Sequence, residues 1–188
     1  MKYIMGLLAM LLPLLSRAQS PPVKPLTIGD TVPDITITSV YNYPASTIHL
    51  SDLKGKLVIL DFWATWCGGC VQSIPKLNTL QKKFPKKLFV LLLNNQGGKS
   101  RAEQEKKIKA FFMNIKPKIK EALVLPAGLE RIDTLDKLFP HTFIPHYVWI
   151  GPRGEVLAIT SSDEITKQNI CAVLKGRPNK MNVKADKF

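Results

Sequence analysis

The sequence predicts an α/β domain with a central mixed β-sheet flanked by helices on both faces. Residues 57–60 and 88–93 are solid apolar runs of strand length, and the segment between them places apolar side chains at helical spacing. Two buried strands joined by a helix form a βαβ unit, in which the strands are parallel. Residues 143–150 and 155–160 flank a glycine-bearing turn and predict an antiparallel pair in the same sheet.

The remaining elements are predicted from local pattern. Residues 32–38 and 46–50 predict two strands of an N-terminal β-hairpin that turns around residues 42–44. Further on, a charged amphipathic pattern predicts a helix over 101–115, and shorter patterns predict a strand at 122–125 and a helix at 132–139. We expect the closing helix at 163–175, capped by Ser161, Ser162 or Asp163 and ended by Gly176.

The N-terminus has the pattern of an export signal. Lys2 precedes an apolar stretch at 4–15, and small residues at 16 and 18 fit cleavage before Gln19. We therefore predict a signal peptide at 1–18, a lead-in at 19–27, a domain at 28–176 and a mobile tail at 177–188. An uncleaved N-terminal anchor is the alternative, and either places the domain in the periplasm or an equivalent extracytoplasmic space.

The chain is strongly basic. Its 27 lysine and arginine residues against 14 acidic residues give a net charge of +13, which becomes +11 without Lys2 and Arg17. In an exported protein this charge does not favour nucleic acid as a partner. The simplest interpretation is a solvated basic surface, and the alternative is attraction to acidic proteins or to an acidic membrane surface.

The reactive groups of the sequence are two cysteines at the junction of strand and helix. Cys67 and Cys70 have C-x-x-C spacing and stand where the helical pattern begins. Free backbone N–H groups and the helix dipole favour an anion there, so the Cys67 thiolate should form easily. Such a thiolate attacks a disulfide, and the second cysteine resolves the mixed disulfide. A purely structural bridge over so short a loop would gain little entropy.

Other uses of the cysteines fit the sequence poorly. Haem attachment requires histidine directly after the second cysteine, where Val71 stands. Zinc normally takes four ligands, and the other candidates lack finger spacing: His49, His141, His146 and Cys171. We therefore expect no metal and no cofactor beyond the redox-active disulfide, and we interpret Cys171 as a small buried hydrophobic residue.

The segment DFWATWCGGC resembles the active-site segment of thioredoxin, and most closely that of TlpA/ResA-like thiol–disulfide oxidoreductases. Asp61, Trp66 and Pro75 stand at the positions of the family's buried acid, active-site tryptophan and helix-kinking proline. Ile144 and Pro145 match the dipeptide whose proline is cis in the family. The resemblance covers residues 28–176 and implies a thioredoxin-like fold with an N-terminal addition.

The resemblance also implies roles for these residues. Cys67 would attack, Cys70 would resolve, and Asp61 would be the buried base, its pKa raised by desolvation. A surface aspartate at the strand end is the simpler alternative. Trp66, Ile144 and Pro145 would contact substrate, with Pro145 after a cis bond, although the sequence alone fits a trans proline equally well. We expect the other two tryptophans, Trp63 and Trp149, in the core.

At two positions the chain departs from the family pattern, and these departures limit how far the family's mechanism can be applied to it. Many relatives carry a glutamate three residues after the second cysteine, where this chain has Ser73, so Asp61 would act alone. Gly68 and Gly69 replace the common Gly-Pro or Glu-Pro, and glycine in the first helical turn costs up to about 1 kcal/mol.

These observations predict an exported enzyme that reduces protein disulfides, supplied by a membrane electron donor and not bound to nucleic acid. We expect a monomer, although the sequence does not determine the oligomeric state. An oxidant of the same fold and a non-catalytic binding module are the alternatives. A peroxidase of the peroxiredoxin type is disfavoured because residues 64–66 do not match its loop.

Overall fold

The structure is a computed structural model that describes residues 23–95, 100–119, 121–129, 132–177 and 181–184. The predicted signal peptide at 1–18 and the first part of the lead-in, 19–22, lie outside the described residues. The same holds for residues 178–180 and 185–188 of the predicted tail.

A six-stranded mixed sheet forms the centre of the domain, in the order β2-β6-β5-β4-β7-β8. The strands of this sheet are β2 (Val40–Tyr41), β4 (Leu57–Trp63), β5 (Leu88–Asn94), β6 (Ala127–Gly128), β7 (His146–Ile150) and β8 (Val156–Thr160). The β4 strand pairs in parallel with β5 and antiparallel with β7, so the mixed sheet is confirmed. Every residue of β4, β5 and β7 is buried.

Helices cover both faces of this sheet, as predicted. They are α1 (Gly68–Lys83), α2 (Arg101–Ile115), α3 (Asp133–Leu138) and α4 (Lys167–Leu174). Side chains of α1, α2 and α4 share one core cluster with Ile59 and Trp63 of β4. Side chains of α3 share the opposite cluster with Leu60 and Phe62, which alternate with the first pair along the strand.

The predicted N-terminal hairpin is present, and the structure also connects it to the central sheet. Its strands β1 (Thr36–Ile37) and β3 (Ile48–His49) pair antiparallel, and Ile37 and Ile48 lie in the same core cluster as α3. The connection between them contains β2, which pairs with β6 at the edge of the central sheet. The addition is therefore joined to the domain by hydrogen bonds as well as by apolar contacts.

Two local predictions are wrong. Residues 122–125 form no strand, because the Asn78 side chain on α1 binds the Ala122 carbonyl and the Val124 N–H, and the strand begins later, at Ala127. The closing helix begins at Lys167, because Thr166 caps it by accepting a hydrogen bond from the Asn169 N–H. A 3₁₀ turn at Ser162–Glu164 takes up the residues predicted to start it.

Described residues of the predicted tail contact the domain. The Lys184 N–H donates to the Ile159 carbonyl of β8 at 2.9 Å, and the Asn182 N–H donates to the Glu164 carboxylate at 3.1 Å. Met181 packs against the core cluster beneath α1 and α4. Mobility of the tail stays a prediction, but residues 181–184 have a defined place on the sheet edge.

No helix within the described ranges combines the length and apolar character needed to cross a bilayer.

The start of β5 is completed by a side chain of α1. Strand β6 pairs with Leu92 and Leu93, and among the described residues the preceding part of β5 has no strand neighbour on that side. The buried Gln81 amide takes the place of a neighbouring strand there. It donates to the Leu88 carbonyl at 2.8 Å and accepts from the Val90 N–H at 2.7 Å. These bonds tie α1 to the sheet.

We expect Gln81→Ala to lower the free energy of unfolding by about 1–3 kcal/mol, because two buried backbone groups lose their partners. Urea unfolding at equilibrium measures this loss. Gln72→Ala, at an exposed position on the same helix, is the matched control and should change it by no more than about 0.5 kcal/mol. Equal effects of the two substitutions would contradict this role of Gln81.

Candidate active site

The two cysteines form a disulfide at the N-terminus of α1, as the sequence pattern predicts. Cys67 is the N-cap residue, and its Sγ accepts a hydrogen bond from the Cys70 N–H at 3.2 Å. Cys67 is 7% exposed and Cys70 is fully buried. Of the two residues, only Cys67 keeps exposed surface through which an external partner could approach, and backbone N–H groups of the first turn stabilise negative charge on its sulfur.

The loop before β7 lies beside this disulfide. The Ile144–Pro145 peptide bond is cis, as the resemblance implied. Pro145 Cδ is 3.9 Å from where a side-chain Cβ on Gly69 would stand, so this loop and the first turn of α1 are in contact. Within the described part of the chain, the backbone groups of Ile144 form no hydrogen bond. They are available to pair with an extended segment of another chain.

Two aromatic side chains near the site are exposed to solvent. Trp66, directly before Cys67, is 70% exposed, and Phe143, two residues before Pro145, is 71% exposed. Trp63 and Trp149 are fully buried, in agreement with their predicted core positions. The sequence does not single out Phe143, because it places this residue in the predicted strand at 143–150.

Asp61 is buried in the centre of the sheet. It lies on β4 between Leu92 of β5 and Tyr147 of β7, and it has no exposed surface. Neither carboxylate oxygen has a hydrogen-bond partner among the described residues. Burial raises the pKa of Asp61 well above its ordinary value. The alternative of a surface aspartate is therefore excluded, and the group has the desolvated environment of a base with a raised pKa.

Ser73 stands at the position where many relatives carry a glutamate, and its hydroxyl group contacts the hydroxyl group of Tyr147. Ser73 Oγ donates to the Cys70 carbonyl at 2.7 Å, which uses its only proton. The 2.9 Å contact between Ser73 Oγ and Tyr147 Oη must then be donated by Tyr147. Burial, and next the charge of Asp61, raises the pKa of Tyr147, so this hydroxyl stays neutral. The pair links Cys70 to β7 without a second carboxylate.

The structure also places other residues that the sequence offered as zinc ligands. Cys171 is free and partly exposed on α4, not buried as we expected. His141 and His146 stack with ring centroids 4.5 Å apart on the sheet face opposite α1. Over the part of the chain that the structure describes, no three His, Cys, Asp or Glu side chains cluster as metal ligands.

The raised pKa of Asp61 gives a prediction about stability. Because the folded pKa is above the unfolded value of 3.8, the unfolded chain loses this proton first as the pH rises. The contribution of Asp61 is therefore fully present below about pH 4 and declines by at most about 1.4 kcal/mol per pH unit until the folded carboxyl ionises. In Asp61→Asn this decline should be absent.

Urea unfolding of the oxidised proteins from about pH 4 to pH 8 tests this expectation. The free energy of unfolding of Asp61→Asn minus that of the wild type should rise steadily with pH. A flat difference for Asp61→Asn would mean that the carboxyl is not desolvated in solution.

Comparisons with known proteins agree with this geometry. The redoxin family model matches residues 27–174. The chain is similar to the thioredoxin-like protein YneN of Bacillus subtilis, with 39% identity over 83 residues that cover 44% of this chain and 45% of YneN. It is also similar to the thiol-disulfide oxidoreductase ResA of Geobacillus kaustophilus, with 28% identity over 145 residues, 77% of this chain and 75% of ResA. The chain thus spans less than half the length of YneN but three quarters of ResA.

The fold has solved counterparts. A crystal structure from Chlorobium tepidum, described as a thiol:disulfide interchange protein DsbE, superposes with a TM-score of 0.58 at 25% identity, over 79% of this chain and 98% of that one. The match confirms the thioredoxin-like fold. By sequence, architecture and site, the chain belongs to the redoxin family, as a thioredoxin-fold member of the TlpA/ResA-like type.

Proposed function

We propose that this protein is an exported thiol–disulfide oxidoreductase that reduces disulfides in partner proteins through Cys67 and Cys70. The observation that carries the proposal is the asymmetry of the pair. Cys67 is 7% exposed beside the cis-proline loop, while Cys70 has no exposed surface at the start of the helix. A structural bridge would not require this asymmetry, whereas exchange with an external disulfide does.

In the first step, the Cys67 thiolate of the reduced protein attacks one sulfur of the substrate disulfide. A bond forms between Cys67 Sγ and that sulfur, the substrate S–S bond breaks, and the electron pair leaves on the second substrate sulfur. The N-terminus of α1 favours this step because its N–H groups and dipole stabilise the thiolate at neutral pH.

In the second step, Cys70 resolves the mixed disulfide. Asp61, in its carboxylate form, takes the Cys70 proton, and the Cys70 thiolate then attacks Cys67 Sγ and expels the remaining substrate thiolate. The substrate has gained two electrons, and the enzyme holds the Cys67–Cys70 disulfide. The raised pKa of Asp61 makes its carboxylate a stronger base than an exposed one. No cofactor is needed beyond the cysteine pair.

Substrate binding uses the surface around Cys67. The exposed Trp66 ring offers a flat apolar contact next to the attacking sulfur. The backbone of Ile144, held before the cis Pro145, pairs with an extended segment that carries the substrate disulfide. These groups favour a protein or peptide substrate over a small molecule.

The direction and setting of the reaction rest on resemblance. The resemblance of the active-site segment to TlpA/ResA-like oxidoreductases favours reduction, and the signal-like N-terminus favours a setting outside the cytoplasm. A membrane electron donor would regenerate the dithiol. The basic surface, with a net charge of +11 after signal cleavage, would favour acidic partner proteins or an anionic membrane surface. We expect the enzyme to act as a monomer.

Serine variants of the cysteines distinguish these roles. Cys67→Ser should lose disulfide reduction by about 10³-fold or more, because the attacking sulfur is gone. Cys70→Ser should still attack but stop at the mixed disulfide, which non-reducing gels and mass spectrometry detect as one protein–substrate adduct. Insulin reduction in the presence of dithiothreitol measures the turnover.

Cys171→Ser is the matched control, because it removes a thiol that lies outside the pair. It should keep wild-type turnover. Full turnover by Cys67→Ser would refute the assignment, and a trapped adduct in Cys67→Ser instead of Cys70→Ser would reverse the two roles.

A further inference from the structure

The cis-proline loop is contacted by a side chain from the far end of the sequence. Residues 181–184 run beside β8, where the Lys184 N–H donates to the Ile159 carbonyl at 2.9 Å. From this position the Lys184 ammonium reaches the loop that precedes β7. About 40 residues separate the two segments, and the sheet edge brings them together.

The ammonium binds the carbonyl groups on either side of Ile144. Lys184 Nζ donates to the Phe143 carbonyl, and it lies 3.5 Å from the Pro145 carbonyl. Hydrogen bonds from a charged donor are stronger than those between neutral groups. The two carbonyls are therefore oriented towards Lys184, while the backbone groups of Ile144 between them have no hydrogen bond among the described residues.

A third acceptor, His146, lies on the same side of the loop. His146 Nδ1 is 3.4 Å from Lys184 Nζ, and its ring is buried against Phe62 and His141. Burial, then the charges of His141 and Lys184, lowers the pKa of His146 to about 3. The ring is neutral at physiological pH, so Nδ1 can accept a hydrogen bond from the ammonium.

We propose that Lys184 is a positioning residue for substrate binding, which holds the Phe143 and Pro145 carbonyls so that the Ile144 backbone faces an extended protein substrate. The inference rests on the proposed function, since it concerns the loop that would bind the substrate chain. Lys184 does not touch the reacting sulfurs, and its effect is confined to substrates that pair with the loop.

The test compares Lys184→Met with Lys184→Arg and a matched control, Lys86→Met. Methionine keeps most of the apolar stem and removes the charge, and arginine restores a charged donor. Lys86 is exposed just beyond the C-terminal end of α1, and the 16 residues of this helix span about 24 Å from the end that carries Cys67. Lys86→Met therefore removes the same charge at a position away from the loop.

Lys184→Met should raise KM for insulin by about fivefold or more, as expected for the loss of charge-assisted bonds. The reaction of its reduced form with bis(2-hydroxyethyl) disulfide, a small neutral disulfide that cannot pair with a loop, should stay within about twofold of wild type. Lys184→Arg and Lys86→Met should resemble the wild type. An unchanged KM in Lys184→Met, or an equal rise in Lys86→Met, would overturn the proposal.

A second measurement needs no turnover and separates this inference from the proposed function. The carbonyl ¹³C resonances of Phe143 and Pro145 in the oxidised protein should shift in Lys184→Met and not in Lys86→Met. If the wild type fails to reduce insulin, the proposed function fails. Shifted carbonyls would then still support the contact on which the inference rests, and unshifted ones would overturn it.

Discussion

The position of β4 in the middle of the sheet determines where every reactive group lies. Its hydrogen bonds to β5 on one side and to β7 on the other bury all seven of its residues. Asp61 is fixed near its end, and the chain leaves it to start α1 at Cys67. Because β7 begins directly after Pro145, the same pairing holds the cis-proline loop against the first turn of α1.

The burial of Asp61 in the sheet also lowers the stability of the folded protein. A carboxyl without a hydrogen-bond partner in a dry interior opposes folding whenever it is charged. The surrounding core is continuous and apolar, so the domain can tolerate this cost at one position. The same desolvation makes the group a useful base for Cys70, and stability and chemistry therefore depend on the same contacts. The Ser73–Tyr147 pair, where the family pattern would have a second acid, adds hydrogen bonds but no further buried charge.

The sequence predicted the helices and strands that a local pattern defines. It did not predict correctly the elements that depend on contacts between residues far apart in the chain. The bounds of α2 at Arg101–Ile115 followed from helical periodicity and those of β5 from a solid apolar run. The two-residue strand β6 was misplaced, because only its partners and the side chain of Asn78 define it. At the site, the C-x-x-C spacing predicted the pair Cys67 and Cys70, and the family resemblance pointed to Asp61.

Other parts of the site gave no sequence signal. Tyr147 and Ser73 are 74 residues apart, and their contact depends on the register between β4 and β7. Lys184 lies in a polar segment that composition alone assigns to a mobile tail. The partly exposed position of Cys171 depends on which side of α4 faces the core. The sequence does not determine this side, because the helix is short and begins later than its pattern predicts.

In the function proposed above, the Cys67–Cys70 couple donates electrons to its partner proteins. The most direct test is the reduction potential of this couple, obtained by equilibrating the protein with glutathione or dithiothreitol buffers and quantifying free thiols. A potential near that of thioredoxin, about −270 mV, is the result we predict. A potential near about −120 mV, typical of a strong oxidant, would contradict the reducing role and would mean that the protein delivers its disulfide to its partners.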